Sequence, residues 1–514
     1  MKTQKKAITK LATLVLALLL MFSSLSSTAF AAPQQETAAP QFFDIANPYA
    51  NVDWNSFGQY NAALHSHTWN SDGSTSLARM VETHYEQGYN IHGGFDHDYL
   101  MAEWDINGFG RGVGNSSPGI LTDSRLPAGE SFLVTTERKL ELEAGVGRDG
   151  RGMIGLSNTN EQSSTQHINT LFAPFNNGNA ASYGVSGSDN HMRAIFTRAE
   201  ELGGLSFINH PGRETGGSAG GINGANGSRN HAQRYIDLFM SYDVKSLVGF
   251  EIVNRLDNES RSDRILWDYI LSATMPQSRP VWGLSNDDAH SMEEVGYNNN
   301  VMLMPALTQA DFRTALETGA FYATAPVARR EGVNATFPNG SAMTSGGGNT
   351  NTRYLRDITA LPVITNITVS GNTITITGAQ YEVVEWVSGI DANGESNVIA
   401  TGNSIDVSDY PEIAANGYVR AQLKGNNGIA FTNPFGVSEA TKTGAAPAAS
   451  VKKLNGNQND LTITVTEFYS NGMTNVIAET IKINNNAAGT YTVGNYRVYV
   501  DTKGNDQIRA CYIV

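Results

Sequence analysis

Three short clusters of histidine and carboxylate residues stand far apart in the chain, each at the end of an apolar stretch. They are His65-Ser66-His67, Asp96-His97 and Asp287-Asp288-Ala289-His290. In a strand, residues two apart project to the same face, so the first and last clusters each present two such groups together. Imidazole and carboxylate groups are common protein ligands of zinc, iron and manganese. These residues therefore indicate metal ions held at strand ends.

Taken singly, each cluster also has an ordinary explanation. A lone His-x-His is as often structural as it is metal-binding, and Asp72 before Gly73 is typical of a turn. A charged pair that closes an apolar strand, such as Asp96-His97, is costly unless it is paired or metal-bound. His210 likewise follows an apolar run and precedes Pro211-Gly212. The recurrence at strand ends favours one shared metal site.

The elements that must position these residues alternate between about residues 61 and 324. Helices are predicted at 77–87 and 192–202. Strands are predicted at 62–64, 89–95, 131–135, 205–208, 247–253, 280–284 and 300–303. This alternation is typical of an α/β fold with a mainly parallel sheet and suits a closed barrel. Such barrels carry their chemistry at the carboxyl ends of the strands, where the polar clusters lie.

After about residue 325 the pattern changes to the period-two alternation of antiparallel strands. Hairpins or strand pairs are predicted at 366–378, 418–432, and 496–500 with 508–514. The first of these turns at Gly371-Asn372. Residues 445–450, Ala-Ala-Pro-Ala-Ala-Ser, are typical of a linker. We therefore expect an all-β region followed by a small separate β-sandwich-like module.

The amino terminus has the pattern of a Sec-type signal peptide. Four lysines precede an apolar run over residues 11–22, and Ala29-Phe30-Ala31 resembles a cleavage site. The run is too short to span a bilayer. We expect cleavage after Ala31 and release of the mature protein from the cell.

Charge and cysteine content narrow the class of protein. Removal of the four leader lysines changes the formal net charge from −14 to about −18. Such an acidic chain argues against binding to nucleic acid or to an anionic membrane. The single cysteine, Cys511, excludes an intramolecular disulfide. The roughly 480 mature residues allow two to four domains.

Six polar motifs follow one another along the chain: Ala63-Leu-His-Ser-His-Thr68 with Ser71-Asp-Gly73, Phe95-Asp-His97, Thr136-Glu137, Gln166-His-Ile-Asn169, Ile208-Asn-His-Pro211 and Ser285-Asn-Asp-Asp-Ala-His-Ser291. This ordered set resembles the PHP (polymerase and histidinol phosphatase) family over roughly residues 60–325. Ala320-Phe-Tyr-Ala-Thr324 resembles the usual close of the family's catalytic domain. The resemblance implies a distorted (β/α)7 barrel.

The resemblance also implies a site for three divalent metals, Mn, Fe or Zn. Position by position, the expected ligands are His65, His67, Glu137 and Asp288 for the first metal, Glu137 as a bridge with His167 and His210 for the second, and Asp72, His97 and His290 for the third. Many family members have histidine at the position of Asp72, although aspartate can also ligate. The expected catalytic carboxylates are Glu137, Asp288 and Asp96, with Asp96 or Asp287 orienting the imidazoles.

The implied activity is that of a secreted phosphoesterase. A hydroxide bridging two metals would attack a phosphate mono- or diester, either a small molecule or a polymer-linked ester. Arg213, Arg229 and Arg255 could clamp the phosphate, although solvation is the commoner role of such arginines.

Two other functions stay open at this point. One is metal-dependent hydrolysis of another bond, such as an amide. The other is a cell-wall or glycan-binding protein whose metals are structural, with a platform of aromatic residues in the last module at Tyr469, Tyr491, Tyr496 and Tyr499.

The sequence thus predicts an α/β catalytic part followed by β-rich parts. The expected divisions are a signal peptide (1–31), an N-terminal extension (32–59), a PHP-like catalytic domain (60–325), a β-rich accessory region (326–444), a linker (445–450) and a small β-sandwich-like module (451–514).

Overall fold

The structure is a computed structural model of the 514-residue chain. It describes residues 41–110, 126–163, 166–176, 188–212, 224–256, 260, 263–328, 356–443, 448–453, 460–482, 489–503 and 507–514. The expected signal peptide and its cleavage site lie outside these ranges. Residues Gln41–Val514 form one compact unit. Within the described ranges, no helix has both the length and the apolar character needed to cross a membrane.

Seven α-helices and 27 strands are described. The helices are α1 (Leu77–Glu86), α2 (Thr136–Glu143), α3 (Ser188–Glu201), α4 (Gly224–Ser241), α5 (Asp263–Thr274), α6 (Gln309–Thr318) and α7 (Pro411–Asn416). The strands of the first part are β1 (Phe43–Ala46), β2 (Gly58–Ala63), β3 (Ile91–His92), β4 (Tyr99–Leu100), β5 (Phe109–Gly110), β6 (Ile154–Gly155), β7 (Asn160–Gln162), β8 (Ile168–Leu171), β9 (Leu205–Ile208), β10 (Leu247–Asn254), β11 (Trp282–Asn286), β12 (Asn299–Met304) and β13 (Phe321–Ala325). The later strands are β14 (Val363–Ser370), β15 (Thr373–Ala379), β16 (Val383–Ile390), β17 (Ser396–Thr401), β18 (Ser404–Asp406), β19 (Tyr418–Gly425), β20 (Gly428–Thr432), β21 (Phe435–Glu439), β22 (Ala448–Lys453), β23 (Asp460–Phe468), β24 (Thr474–Lys482), β25 (Gly489–Val493), β26 (Tyr496–Lys503) and β27 (Gln507–Ile513).

Two sheets make up the α/β part. The first runs in the order β1-β21-β19-β20-β13-β12-β2-β3-β6, with β16 and β17 attached beside β19, and the second runs β11-β10-β9-β8-β7. The pairs β2–β3, β3–β6, β9–β10 and β10–β11 are parallel. Isolated parallel bridges, Ser66↔Ala289 and His97↔Glu161, link the two sheets. The α/β class is therefore observed, whereas the closed (β/α)7 barrel stays a prediction.

Local sequence explains the elements that flank the site. Ser76 begins α1 and accepts a hydrogen bond from the Arg79 amide, as an N-cap residue does. Leu77, Met80 and Val81 recur at helical spacing and are fully buried. The prediction of this helix is confirmed, with Gln87 as its C-cap.

One predicted strand, 131–135, is wrong. Phe132 and Val134 are buried, but Thr135 is the N-cap of α2 and accepts a hydrogen bond from the Arg138 amide. The apolar run reflects packing before a helix start rather than a strand. The strand that pairs with β3 at this place in the sheet is β6, where Ile91 is opposite Ile154.

An apolar layer lies directly beneath the strand ends that carry the histidines. Leu64, Phe95, Phe207 and Leu284 are fully buried in one core cluster. The ring of Phe95 lies 6.4 Å from that of His65, and it packs edge-on against Phe207. This packed floor holds the strand ends in fixed positions.

The β-rich region shares the first sheet with the α/β part. Strand β13 pairs with β20, and β1, from the expected N-terminal extension, pairs with β21. The expected boundary at residue 325 therefore falls between paired strands rather than between separate sheets. The hairpin around Gly371-Asn372 and the pairing of β19 with β20 are confirmed.

The last residues form two sheets of their own, β22-β23-β24 and β25-β26-β27. Ile463 and Val465 from one sheet share a core with Val493, Val498 and Val500 from the other. The predicted pairing of the last two segments is confirmed, with Val500 opposite Cys511. Part of the expected linker, residues 448–450, lies in β22, and 445–447 fall outside the described residues.

Candidate metal centre

Six imidazoles and three carboxylates meet where the two sheets approach each other. Three groups have ligand atoms all within 4.8 Å of one another: His67, Asp72, His97 and His290; His65, His67 and Asp288; and His97, Glu161 and His167. His210 adjoins them, its ring centroid 5.0 Å from that of His167. The sequence predicted eight of these nine residues, and the ninth is Glu161.

Glu161, in β7, lies at the centre of the cluster. Its Oε2 is 2.7 Å from His97 Nδ1, and its Oε1 is 3.0 Å from His167 Nδ1 and 3.2 Å from His65 Nε2. The side chain is fully buried. Burial by itself would raise the pKa of Glu161, but His97, His167 and His65 hold it well below its usual value. Glu161 therefore stays ionised among the imidazoles.

The structure does not bring Glu137 into this cluster. Glu137 is exposed in the first turn of α2, where a carboxylate suits the positive end of the helix dipole. None of the metal-capable groups among the described residues includes it. The expectation that Glu137 bridges two metals is corrected: the carboxylate among the imidazoles is Glu161.

A signal for Glu161 is present in the sequence. Met153 and Leu156 bound a short apolar run that contains β6, and Glu161 is the first acidic residue after it. Because β6 is parallel to β3, the segment that follows it leads towards the same edge as Asp96-His97. The longer apolar run at 131–135 obscured this shorter strand.

His65, His67 and Asp288 form the most buried of the three groups. Asp288 Oδ1 is 3.0 Å from His67 Nε2 and 3.3 Å from His65 Nε2. Asp288 has a left-handed backbone (φ 47°), a strained conformation that is concentrated at functional sites. Burial, with a contribution from His290, lowers the pKa of His67 to about 3. His67 is therefore neutral near pH 7 and can offer a lone pair to a cation.

Asp72, His97 and His290 surround the open side of the site. Asp72 Oδ2 is 3.1 Å from His290 Nε2 and 3.5 Å from His97 Nε2, and its side chain is 42% exposed. Although burial opposes it, the carboxylates of Glu161 and Asp72 raise the pKa of His97 to about 11. This group is the one that an incoming molecule can reach.

His210 gives a direct indication that the site fits a cation. Its Nδ1 is buried and has no hydrogen-bond partner among the described residues. Burial, and then His167, lower the pKa of His210 well below the usual value, so the ring is neutral. A buried imidazole nitrogen without a partner is costly by itself, and the other ring nitrogen, Nε2, lies 3.9 Å from Glu161 Oε1, an arrangement that suits a divalent ion.

Two predicted aspartates support the site without contacting its imidazoles. Asp96 accepts hydrogen bonds from the Thr68 amide (2.7 Å), the Thr68 hydroxyl (2.6 Å) and the Ser71 hydroxyl (2.7 Å). Asp287 accepts from the Tyr89 hydroxyl and from the amides of Gly296 and Asn298. Asp96 thus fixes the loop that carries Asp72 and is not placed as a catalytic group.

Of the three arginines considered as phosphate clamps, Arg255 is at the site. Its Nε is 3.2 Å from Asp288 Oδ2, and its Nη2 is 2.9 Å from His290 Nδ1. One third of the side chain is exposed. Arg213 lies outside the described residues, as does the side chain of Arg229.

Several solved structures are similar to the chain. No protein-family model and no curated protein matches the chain. The chain is similar to a two-domain protein from Bacteroides vulgatus ATCC 8482 that contains a predicted PHP-like metal-dependent phosphoesterase (12% identity, 83% of this chain and 96% of that chain, TM-score 0.34). It is also similar to an amidohydrolase from Chromobacterium violaceum with bound sulfate and no metal (16% identity, 50% and 96%, TM-score 0.26). The residues of the site, rather than these likenesses, carry the functional proposal.

Proposed function

We propose that this chain is a metal-dependent hydrolase that cleaves phosphate esters. The observation that carries the proposal is the convergence of six imidazoles and two ionised carboxylates, Glu161 and Asp288, on one buried strand edge with Asp72 at its open side. A cluster of this composition has no use as an apolar core and suits up to three divalent ions. When bound, such ions lower the pKa of coordinated water and neutralise phosphoryl oxygens.

The chain's own residues divide into three tasks. Neutral His67 and His210 offer lone pairs, while Glu161 supplies the negative charge between the ligand groups. Asp96 holds the loop of Asp72 in place. The apolar floor beneath His65 excludes water from below, so that electrostatic interactions at the site are strengthened.

Arg255 supports a phosphate ester as the substrate. Its guanidinium lies at the partly exposed edge of the site, beside His290 and Asp288. A planar guanidinium is well suited to two phosphoryl oxygens at once. The motif order of the PHP family, with its distorted (β/α)7 barrel, supports the same assignment. Amide hydrolysis is the alternative, because the same ligand set can activate water for either bond.

The test combines metal analysis with a substrate panel. Purified protein is expected to contain stoichiometric Mn, Fe or Zn by mass spectrometry and to hydrolyse p-nitrophenyl phosphate or its bis-ester, and the ratio of the two rates distinguishes monoesterase from diesterase. His65→Ala is expected to abolish this activity. Metal-loaded protein that cleaves carboxamides but neither phosphate ester would contradict the assignment.

Secretion and glycan binding are separate proposals. The mature protein is expected to begin at Ala32, which N-terminal sequencing of culture supernatant would show. Among the predicted platform tyrosines, Tyr469 and Tyr496 donate hydrogen bonds to Glu467, whereas Tyr499 packs 5.2 Å from the exposed Tyr512. Cell-wall or glycan contact through this module stays a prediction, and failure of the purified module to sediment with cell wall would count against it.

A further inference from the structure

Glu251 is a fully buried carboxylate of β10 that lies behind the candidate metal centre. Each of its oxygens accepts two hydrogen bonds. Oε1 accepts from His65 Nδ1 (2.8 Å) and Asn286 Nδ2 (2.8 Å), and Oε2 accepts from the His210 amide (2.9 Å) and Asn254 Nδ2 (2.8 Å). The carboxylate is therefore completely satisfied, and its partners come from three other segments as well as from its own strand.

A break in the strand register brings this arrangement about. The pairing of β10 with β11 shifts between Glu251 and Val253. In a regular strand, residues 251 and 254 would point to opposite faces. An extra residue at a bulge re-aims the side chains that follow it, so Glu251 and Asn254 can meet. Bulges of this kind are common beside active sites.

The donors define the proton on His65. The Asn286 and Asn254 side-chain nitrogens and the His210 amide can only donate, and three such donors around one group suit a carboxylate, whose oxygens only accept. His65 Nδ1 must then carry a hydrogen. The other ring nitrogen, Nε2, is the one that faces Glu161 Oε1 (3.2 Å) and Asp288 Oδ1 (3.3 Å). Glu251 thus directs Nε2 of His65 to the ligand side of the site.

Glu251 also holds the backbone of a second ligand candidate. His210 has φ 24°, in the left-handed region that is unfavourable for a residue with a Cβ atom. Its amide is held by Glu251 Oε2. A hydrogen bond from a strained backbone to a charged acceptor can stabilise that conformation.

We infer that Glu251 is a positioning residue of the metal centre, which sets the ring orientation of His65 and the backbone of His210 together. The inference rests on the proposed function only in assuming that the site binds divalent metal. Groups that orient metal ligands in this way typically affect metal affinity by about 10–100-fold.

The test uses Glu251→Gln with Co²⁺ as the probe. The amide replaces one acceptor oxygen with an NH2 group, which leaves two of the four donors without a partner. The variant is expected to bind Co²⁺ about 10–100-fold more weakly than the wild type, in competition with a chelator. The visible absorption of the Co²⁺-loaded protein is also expected to change, because the orientation of His65 changes.

Glu385→Gln is the matched control. Glu385 is also buried in a strand and accepts from Lys424 Nζ (2.8 Å) and Gln422 Nε2 (2.6 Å), in β19 and away from the site. It is expected to lose folding stability while keeping wild-type Co²⁺ affinity and spectrum. Folded Glu251→Gln with wild-type affinity and spectrum would overturn the inference.

A second variant covers the case in which Glu251→Gln does not fold. Asn254→Ala removes one of the four hydrogen bonds and is expected to weaken Co²⁺ binding several-fold, with a spectral change in the same direction. Wild-type behaviour of that variant would overturn the inference. Because Co²⁺ binding is measured without substrate, the two proposals can fail separately. The hydrolase activity can be absent while Glu251 still affects Co²⁺ binding, and Glu251→Gln can leave Co²⁺ binding unchanged in an active hydrolase.

Discussion

Two regions rich in β-strands follow the α/β part, and they are attached to it in different ways. Strands β16, β19, β20 and β21 of residues 356–443 belong to the same sheet as β2, β12 and β13. The described residues between 448 and 514 form two separate sheets around a core of their own. Similar local alternation has therefore produced an integral part of one sheet in the first case and two sheets with their own core in the second.

The side-chain contacts of the two regions with the rest of the chain also differ, being buried for the first region and peripheral for the second. Asp268 of α5 accepts two hydrogen bonds from the guanidinium of Arg420 in β19 and one from Tyr418, all fully buried. The module instead meets the remainder through peripheral contacts such as the Phe42–Tyr469 ring pair and the bond from Ser470 to Asp44. Residues 356–443 support the sheet that carries the site, whereas the module only contacts residues at and beside the edge strand β1.

Truncation gives the largest expected difference between the two regions. A chain that ends at residue 443 is expected to fold and to keep its metal and activity, because it retains all of the first sheet. A chain that ends at residue 328 lacks the strands beside β13 and exposes their apolar partners, so it is expected to be insoluble. Soluble yield, circular dichroism and metal content compare the two.

The opposite outcome would break the comparison. Soluble, metal-loaded protein from the chain ending at 328 would show that residues 356–443 are a dispensable accessory region. Loss of fold on removal of the module alone would show that its peripheral contacts matter more than the shared sheet does.

In the α/β part, which residues 356–443 support, the next largest effect is expected at Glu161. Glu161→Gln keeps the side-chain size but removes the charge near His97, His167 and His65. The ratio kcat/KM for p-nitrophenyl phosphate is expected to fall about 10³-fold, the size of effect seen when a major electrostatic group is lost. The control is Glu137→Gln, an exposed site that is expected to leave kcat/KM unchanged. A large loss in the control instead would restore Glu137 as the central carboxylate.

This pair of glutamates also shows how far the sequence could lead. His65, His67, His97 and His290 were predictable because each lies in a short polar motif after an apolar strand. The signal for Glu161 was weaker and was missed, since β6 has only two residues and its place in the sheet is set by pairing with residues 91–92. Glu137 follows a longer apolar run whose burial comes from packing before a helix.

The shared sheet was hidden from the sequence for a related reason. Alternation predicted the hairpins at 366–378 and 418–432, because a hairpin is a local contact. The pairing of β13 with β20 joins residues about one hundred positions apart, and the sequence of neither strand indicates which strand it pairs with. The packing that made Glu251 and Asn286 neighbours is equally non-local.

The buried ion pair offers a direct energetic comparison of the two attachments. Asp268→Ala leaves Arg420 buried without its carboxylate and is expected to lower the free energy of unfolding by about 3–5 kcal/mol. Lys442→Ala, which breaks a pair between the exposed Lys442 and the buried Glu467, is expected to cost about 1 kcal/mol or less, because Glu467 keeps the hydrogen bonds from its two tyrosine partners. Urea unfolding followed by fluorescence measures the first, since all six tryptophans lie before residue 443. Equal losses in the two variants would contradict the distinction.

Removal of metal is expected to destabilise the part of the chain that carries the site and to leave the C-terminal module unchanged. Metal at about one hundred times its Kd stabilises the folded state by about 2.7 kcal/mol, and a chelator removes that contribution. The urea concentration at the midpoint of the tryptophan-detected unfolding transition should therefore fall. The rate of amide hydrogen exchange in peptides from 460–482 and 489–503 should not change. Faster exchange in those peptides on chelation would show that the module is coupled to the site.

The smallest expected effect is a pH dependence that arises at Glu467, a module residue paired with Lys442. Burial opposes it, but Lys442 and the Tyr496 hydroxyl lower the pKa of Glu467 from 4.5 to about 2. A carboxylate whose pKa is lowered in the folded state stabilises that state above its unfolded pKa, and this stabilisation is lost as the pH falls from about 4.5 towards 2. The protection factors of amides in 460–482, which are corrected for the intrinsic pH dependence of exchange, should therefore fall over this window in the wild type and stay level in Glu467→Gln. The exposed Glu479→Gln should behave as the wild type does, and an unchanged pH profile in Glu467→Gln would exclude Glu467 as the source.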